Sequence, residues 1–243
     1  MPRLFLRRLV ALGLCAALAL TPSACRKSSQ GAPKVIVIGD QPKLADPVLG
    51  PLAAPEAVLL QNVAQGLVQF DASGNIVNGL AERWNVSDDG LSYIFRIASA
   101  EWPDHRKITA QQVARLLKRQ LGQRSRNSLK DALGGVDDIV AMTDRVIEIR
   151  LGAPRPNLLS LLAQPEMAIL RADQGTGPFT LGSSMHQGEL RLTREAASGD
   201  DETARREEIL LAGSPARDAI RAFATGSADL GRIVGGGQPR SRG

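Results

Sequence analysis

A mixed α/β (α+β) domain is the fold class the sequence predicts, and three observations predict it. "RVIEIRL" (Arg145–Leu151) alternates apolar and polar residues with period two, the pattern of a half-buried strand. "TAQQVARLLKRQL" (Thr109–Leu121) repeats its apolar residues at helical spacing behind a capping residue. "EEILLAG", "SPARDAIRAFATG" and "ADL" read in succession as strand, helix and strand, a βαβ unit. With 243 residues the chain can form one large domain or two small ones. Hydrophobic residues at 43% permit a packed core, and aromatics at 3% require that core to be mostly Leu, Val, Ile and Ala.

Residues 1–25 read as an export signal rather than as part of this fold. Arg3, Arg7 and Arg8 precede the apolar run "LVALGLCAALAL" (Leu9–Leu20), and "TPSAC" follows with small residues. The run is shorter than the roughly 20 residues a membrane-spanning helix needs. Cys25 stands where a lipoprotein-type signal places its lipidated cysteine, although Pro22 replaces the aliphatic residue usual there. Two readings remain open, lipidation of Cys25 and simple cleavage before it. Cys15 lies in the apolar run, so the mature part keeps one cysteine and no disulfide framework. The formal charge of +5 includes the three signal arginines and no acid from that segment, so 5 − 3 leaves +2. No stripe of basic and aromatic residues accompanies it, which argues against nucleic acid as a partner.

After a polar leader (26–33), "KVIVIG" (Lys34–Gly39) is a short continuous apolar strand of the kind buried on both faces. "DQPKLADPVLGPLAAP" is a Pro-studded loop. "EAVLLQNVAQGLVQF" (Glu56–Phe70) begins as a helix and turns at Gly66 into a strand, and "DASGN" is a turn. "GLAERWNVSDDGLSYIFRI" (Gly79–Ile97) is a hairpin closed by Asp-Asp-Gly. In the helix that follows, Thr109 is the N-cap and Gln112 completes a capping box; Val113, Leu116, Leu117 and Leu121 form the apolar stripe. Ile147, Ile149 and Leu151 point inward from the next strand. "PNLLSLLA" (Pro156–Ala163) is a short helix, and "TGPFTL" and "ELRLTRE" are two strands of one sheet. Ser214 is expected to cap the last helix, with Pro215 at its first position and Gly226 closing it.

A search for chemistry finds scaffold instead. His105 and His186 are each alone in a polar loop and make no zinc signature. Neither a G-x-S-x-G elbow nor a G-x-x-x-x-G-K-[ST] phosphate loop occurs. "GTG" (Gly175–Gly177) is too short to count as a cofactor motif. Asp71, Ser73, Asn75 and Glu82 match calcium-loop positions 1, 3, 5 and 12, but Ile76 stands where that loop needs Gly and the flanks read as strands. No enzyme, cofactor or metal site is therefore expected.

Eight segments in order resemble the N-terminal part of family 5 extracellular solute-binding proteins, the peptide- and nickel-binding components of bacterial ABC importers. They are "GLVQFD", "NIVNGLAERWNVSDDGLSYIFRI", "WPD", "ITAQQVARLLKR", "VDDIVAMTDRVIEIRL", "APRPNLLSLLA", "TGPFTL" and "AIRAFATGSADL". The resemblance implies one lobe of a type II periplasmic binding-protein clamshell over residues 34–230. A peptide or other small solute would be held without bond making and passed to an ABC permease in the inner membrane. It places Gln41, Pro42 and Lys43, in the loop after the first strand, and Leu129 on the ligand side. Two departures stand out. His105 occupies the Gly position of the family's turn after the Trp, which puts the shape of that turn in question. The chain also stops after "GSADL" with a Gly/Arg-rich segment (231–243) that reads as a flexible tail, so a truncation before the second lobe is expected. A single lobe offers one wall, from which weak or absent peptide binding follows. The alternatives are a one-lobed binding module and an envelope interaction module that carries no solute.

Overall fold

The computed structural model describes residues 31–186, 188–196 and 205–232. Residues 1–30, where the export signal and Cys25 were read, and residues 233–243 lie outside the described residues. Three sheets organise the rest. The first is five-stranded and mixed, in the order β11 (Leu230–Arg232), β1 (Lys34–Ile38), β10 (Arg205–Ser214), β9 (Glu189–Ala196), β8 (Thr180–His186). The second is a ribbon of β2 (Val68–Phe70) and β3 (Ile76–Asn78). The third is four-stranded, in the order β4 (Ala81–Val86), β5 (Ser92–Ile97), β7 (Val146–Leu151), β6 (Val136–Thr143), antiparallel throughout. Helices α1 (Ala54–Val63), α2 (Ala110–Leu121), α3 (Leu158–Leu162) and α4 (Ala216–Ala224) pack around them.

The four-stranded sheet owns the main core. Phe95, Ile97, Ile147 and Ile149 leave one face of β5 and β7 fully buried, and Val113, Ala114 and Leu117 of α2 cover them. The alternation read in "RVIEIRL" is the cause: Ile147, Ile149 and Leu151 face in while Arg150 faces water. Asp89 shapes the tip of the β4–β5 hairpin. Its carboxylate accepts from the Leu91 amide at 3.0 Å and the Ser87 hydroxyl at 2.5 Å, and these bonds hold it below the ordinary carboxylate range. Gly90, at φ +68, supplies the left-handed step that the turn needs. Asp71 behaves likewise, accepting from the Ser73 and Asn75 amides at 2.8 Å each. The calcium-like spacing is thus a plain turn.

Two details depart from the sequence reading. Thr109 caps α2, accepting from the Gln112 amide at 3.3 Å, but the reciprocal half of the capping box is missing. Gln112 instead accepts from the indole N–H of buried Trp102 at 3.1 Å, because an indole donor without a partner costs more than an unfilled cap. At α4 the N-cap is Pro215, and Ser214 is the last residue of β10; the strand's pairing with β1 extends one residue further and takes the serine. Gly226 closes α4 at φ +73 as expected.

The five-stranded sheet is assembled from distant pieces. β1 lies parallel to both β10 and β11, with α4 as the crossover between those two. β1 is buried on both faces: Val37 meets Val58, Leu59 and Val63 of α1, while Ile36 meets Ala212, Ala219 and Ala228. Strand β8 ends the sheet at one side and is paired along one edge. His186 belongs to this strand, paired with Glu189, rather than to a loop.

Candidate functional site

The end of α1 builds the site. A helix leaves its last carbonyls without intrahelical donors. Here the carbonyls of Asn62 and Val63 accept from the amides of Phe179 and Gly177, each at 3.0 Å. The Gln65 side-chain amide (Nε2) donates to the Thr176 carbonyl in the same crossing. "GTGPF" is therefore laid directly across a helix end, and a Cβ at Gly175 or Gly177 would sit under 3 Å from the α1 backbone. The two glycines serve this close approach, not a cofactor. The crossing segment then feeds β8.

Just before it, Arg171 and Gln174 exchange backbone hydrogen bonds at 2.9 and 3.0 Å around a two-residue turn of Ala172 and Asp173. Both turn residues are left-handed, at φ 48 and 62, where Asn-Gly is the usual choice, so the turn stores about 1 kcal/mol or more per residue. Arg171 clamps it. Its guanidinium lies 4.9 Å from the Trp102 ring centre, donates to Asp104 at 2.5 Å and reaches Gln174 at 3.3 Å. The Arg171 hydrogen bond holds the Asp104 carboxyl below its ordinary value. His105, in the "WPD" turn, takes φ 62, a left-handed conformation that favours glycine. Its amide donates to the Trp102 carbonyl at 2.8 Å.

Between these parts lies a groove of about 860 Å³. It is lined by Ala100, Glu101 and Pro103, by residues 173–177 and the start of β8, and by Leu44 and Gln65. Its charged lining residues are Glu101 and Asp173, both acidic. The Arg171 Nε and the Thr176 hydroxyl, beside and on its wall, are buried without a hydrogen-bond partner among the described residues. A smaller cavity of about 450 Å³ is lined by uncharged Gln61, Gln65, Gln69 and Gln164 around Phe70, with Asp71 at its edge. Among the described residues no group of three or more His, Cys, Asp or Glu side chains is placed to hold a metal ion.

The residues singled out from sequence are divided. The loop after β1 carries Gln41, whose side-chain amide donates to the Gly213 carbonyl at 3.0 Å and accepts from its amide at 3.4 Å, tying the loop to the end of β10. Pro42 is buried. Lys43 is 79% exposed at its side chain, 3.7 Å from Glu56. The next residue, Leu44, lines the groove. Leu129 is half-buried against the main core and does not line it. The groove residues Glu101, Asp173, Gln174 and Thr176 went unmarked in the sequence. The signal that could have found them is "DQGTGPF", whose paired glycines announce a tight backbone crossing.

A family model described as bacterial extracellular solute-binding proteins, family 5 (middle), matches residues 75–238. The chain belongs to that family. Family relatives include the nickel-binding periplasmic protein of Escherichia coli, 24% identical over 197 residues, or 74% of this chain and 37% of that one. The dipeptide-binding protein DppE of Bacillus subtilis is 25% identical over 184 residues, 62% of this chain and 33% of the relative. Among solved structures, the Haemophilus influenzae OppA complex with the peptide RPPGFSPFR superposes with TM-score 0.70 at 16% identity, covering 82% of this chain and 46% of that one. The fold is thus that of a periplasmic binding protein, and the chain spans less than half the length of each of these proteins. No helix among the described residues is long and apolar enough to cross a membrane.

Proposed function

We propose that this family 5 chain supplies one wall of an extracellular solute-binding component of an ABC importer. It would bind peptides or similar small solutes and deliver them to an inner-membrane permease, with no bond making. The observation that carries this reading is the groove at the foot of β8. The start of β8, which ends its sheet among the described residues, and the backbone-rich 173–177 segment line a space of solute size. The di- and oligopeptide and nickel solutes named for relatives and neighbours belong to the same class of cargo. Gln41, Pro42 and Lys43 are proposed as contacts because they precede Leu44, which lines the groove, in a loop that Gln41 ties to Gly213. Leu129, packed against the main core, is not part of this wall. The leader would direct export, with Cys25 lipidated to hold the protein at the envelope by acyl chains.

Isothermal titration of the chain with di- to pentapeptides tests the binding. A pocket normally buries about 70–90% of a small ligand, so one wall predicts affinities weaker than micromolar. Gln41→Ala with Lys43→Ala should weaken binding further, and unchanged binding would remove the loop from the site. Globomycin-sensitive processing and palmitate labelling test Cys25; a soluble unlabelled product removes the anchor. A second reading has its own observation: Ile220 and Phe223 stand 59% and 56% exposed on α4. An envelope module would use that face to dock on a permease without carrying solute, and membrane crosslinking that captures permease with no peptide bound would favour it.

A further inference from the structure

The cavity of about 450 Å³ differs in chemistry from the groove, and only Gln65 is common to the two linings. Three stretches contribute to it: residues 61–66 at the end of α1, residues 69–72 at the end of β2, and the turn at 163–168. Its polar side chains are the carboxamides of Gln61, Asn62, Gln65, Gln69 and Gln164 and the carboxylate of Asp71, with no cation. Asn62 and Gln65 spend their amides on the carbonyls of Val58 and Thr176. Asp71 accepts from the Ser73 and Asn75 amides and from the Asn75 side chain, so its charge is met within its own turn. What remains among the described residues is the set of glutamine amides Gln61, Gln69 and Gln164, together with half-buried Phe70.

The 163–168 wall is held by side chains that are costly to bury. The buried polar side chains among the described residues are Gln120, Ser125 and Asn127, and two of them end on this turn. Gln120 donates through Nε2 to the Ala168 carbonyl at 2.6 Å, and Asn127 through Nδ2 to the Glu166 carbonyl at 2.7 Å. The Ser125 hydroxyl accepts from the Asn127 amide at 3.1 Å. Gln120 Oε1 stays buried without a partner among the described residues, so an apolar side chain would fill that place more cheaply. The 61–66 wall is fixed as well. The Ile169 amide donates to the Gln65 carbonyl at 3.0 Å, and a Cβ on Gly66 would lie 2.7 Å from the Leu162 carbonyl oxygen. A wall held in this way loses little freedom when a solute enters.

We propose that this cavity is a second solute site, for an uncharged polyhydroxy solute of monosaccharide size. A carboxamide presents a carbonyl acceptor and two N–H donors, and a hydroxyl, which both donates and accepts, satisfies either end. Phe70 adds the apolar surface that small-molecule sites combine with a few orienting polar groups, and the volume lies within the usual range of such sites. A charged solute would leave water for a lining with no free counter-charge.

The test is a ¹H–¹⁵N NMR titration of the full chain with glucose, glucosamine and glucuronate, which share a ring and differ in charge. Glucose should bind at about millimolar strength, as expected of so small a solute, and about five-fold more tightly than either charged sugar. Shifts should fall on residues 61–72 and 163–168. Gln69→Leu combined with Gln164→Leu should weaken glucose about ten-fold. Gln120→Met should weaken it about three-fold and change the ligand-free spectrum only around residues 120 and 164–169; a spectrum disturbed throughout the core would overturn its positioning role. Tighter binding of a charged sugar would overturn the preference for a neutral solute. No shifts up to about 50 mM glucose, shifts elsewhere, or an undiminished affinity in the double variant would overturn the site. Larger shifts of the same residues by Ac-Ala₃-NH₂ would overturn the polyhydroxy class. All of these outcomes leave the groove untouched, because its residues 100–103 and 173–182 are read separately.

Discussion

The four-stranded sheet and the five-stranded sheet obey different rules. In the first, every pairing is antiparallel, and strands that are adjacent in sequence mostly pair; one face is dry and the other wet. Its core is a single large cluster closed by α2. In the second, β1 pairs with strands more than 170 residues away, and its two faces hold separate, thinner clusters. One sheet is made to be stable. The other joins distant segments through β1, and at its opposite side the start of β8 lines the groove. Stability and binding are thus carried by different residues, and substitutions can pull them apart.

The largest separation is expected in the cores. Phe95→Ala, in the four-stranded sheet, should cost about 3–5 kcal/mol, and Leu192→Ala, in the thinner cluster, about 2 kcal/mol. Urea unfolding of both variants measures this, and a larger loss at Leu192 would reverse the ranking. Next comes the crossing of "GTGPF" over α1. Gly177→Ala places a methyl against the Asn62 and Val63 backbone and should destabilise by about 1–3 kcal/mol, while shifting groove resonances selectively. A silent substitution there would mean the crossing is looser than its hydrogen bonds indicate.

A smaller effect of opposite sign belongs to the strained turns. His105→Gly removes a left-handed side chain from the "WPD" turn and should raise stability by about 0.5–1 kcal/mol in thermal melts. A loss instead would show that His105 contributes contacts beyond its backbone. The smallest effect is with pH. Asp104 is held below its ordinary value by Arg171, so the pair's contribution is fully present above the ordinary aspartate range and is lost as pH falls through the lower folded value. Asp104→Asn should flatten that acid limb of the stability–pH curve by removing a small stabilisation at neutral pH, leaving the most acidic end nearly unchanged.

The same contrast decides what could be read from sequence. The β4–β5 hairpin, the strand at Arg145–Leu151 and the α2 stripe were legible because their causes are local: period, turn residue and cap. Gln112 was misassigned because its partner, Trp102, reaches it through the fold rather than along the helix. His105 looked like a broken turn because a sequence does not display the price a residue pays in φ; the surrounding bonds hold it there. The groove was the least legible part. Leu44, Glu101, Asp173 and Thr180 share no motif, and only the folded chain brings the start of β8 and the "WPD" turn to one groove. Gln41 was singled out by position, and the structure shows its amide bonded to Gly213, a partner that no local pattern reveals.

Photo-crosslinking tests the central claim most directly. A tripeptide bearing a benzophenone side chain, irradiated with the chain and mapped by mass spectrometry, should label residues 100–103 and 173–182, and an excess of unlabelled peptide should suppress that labelling. Adducts confined to other surfaces, or labelling of the groove that no competitor suppresses, would contradict the claim that this strand edge holds the solute.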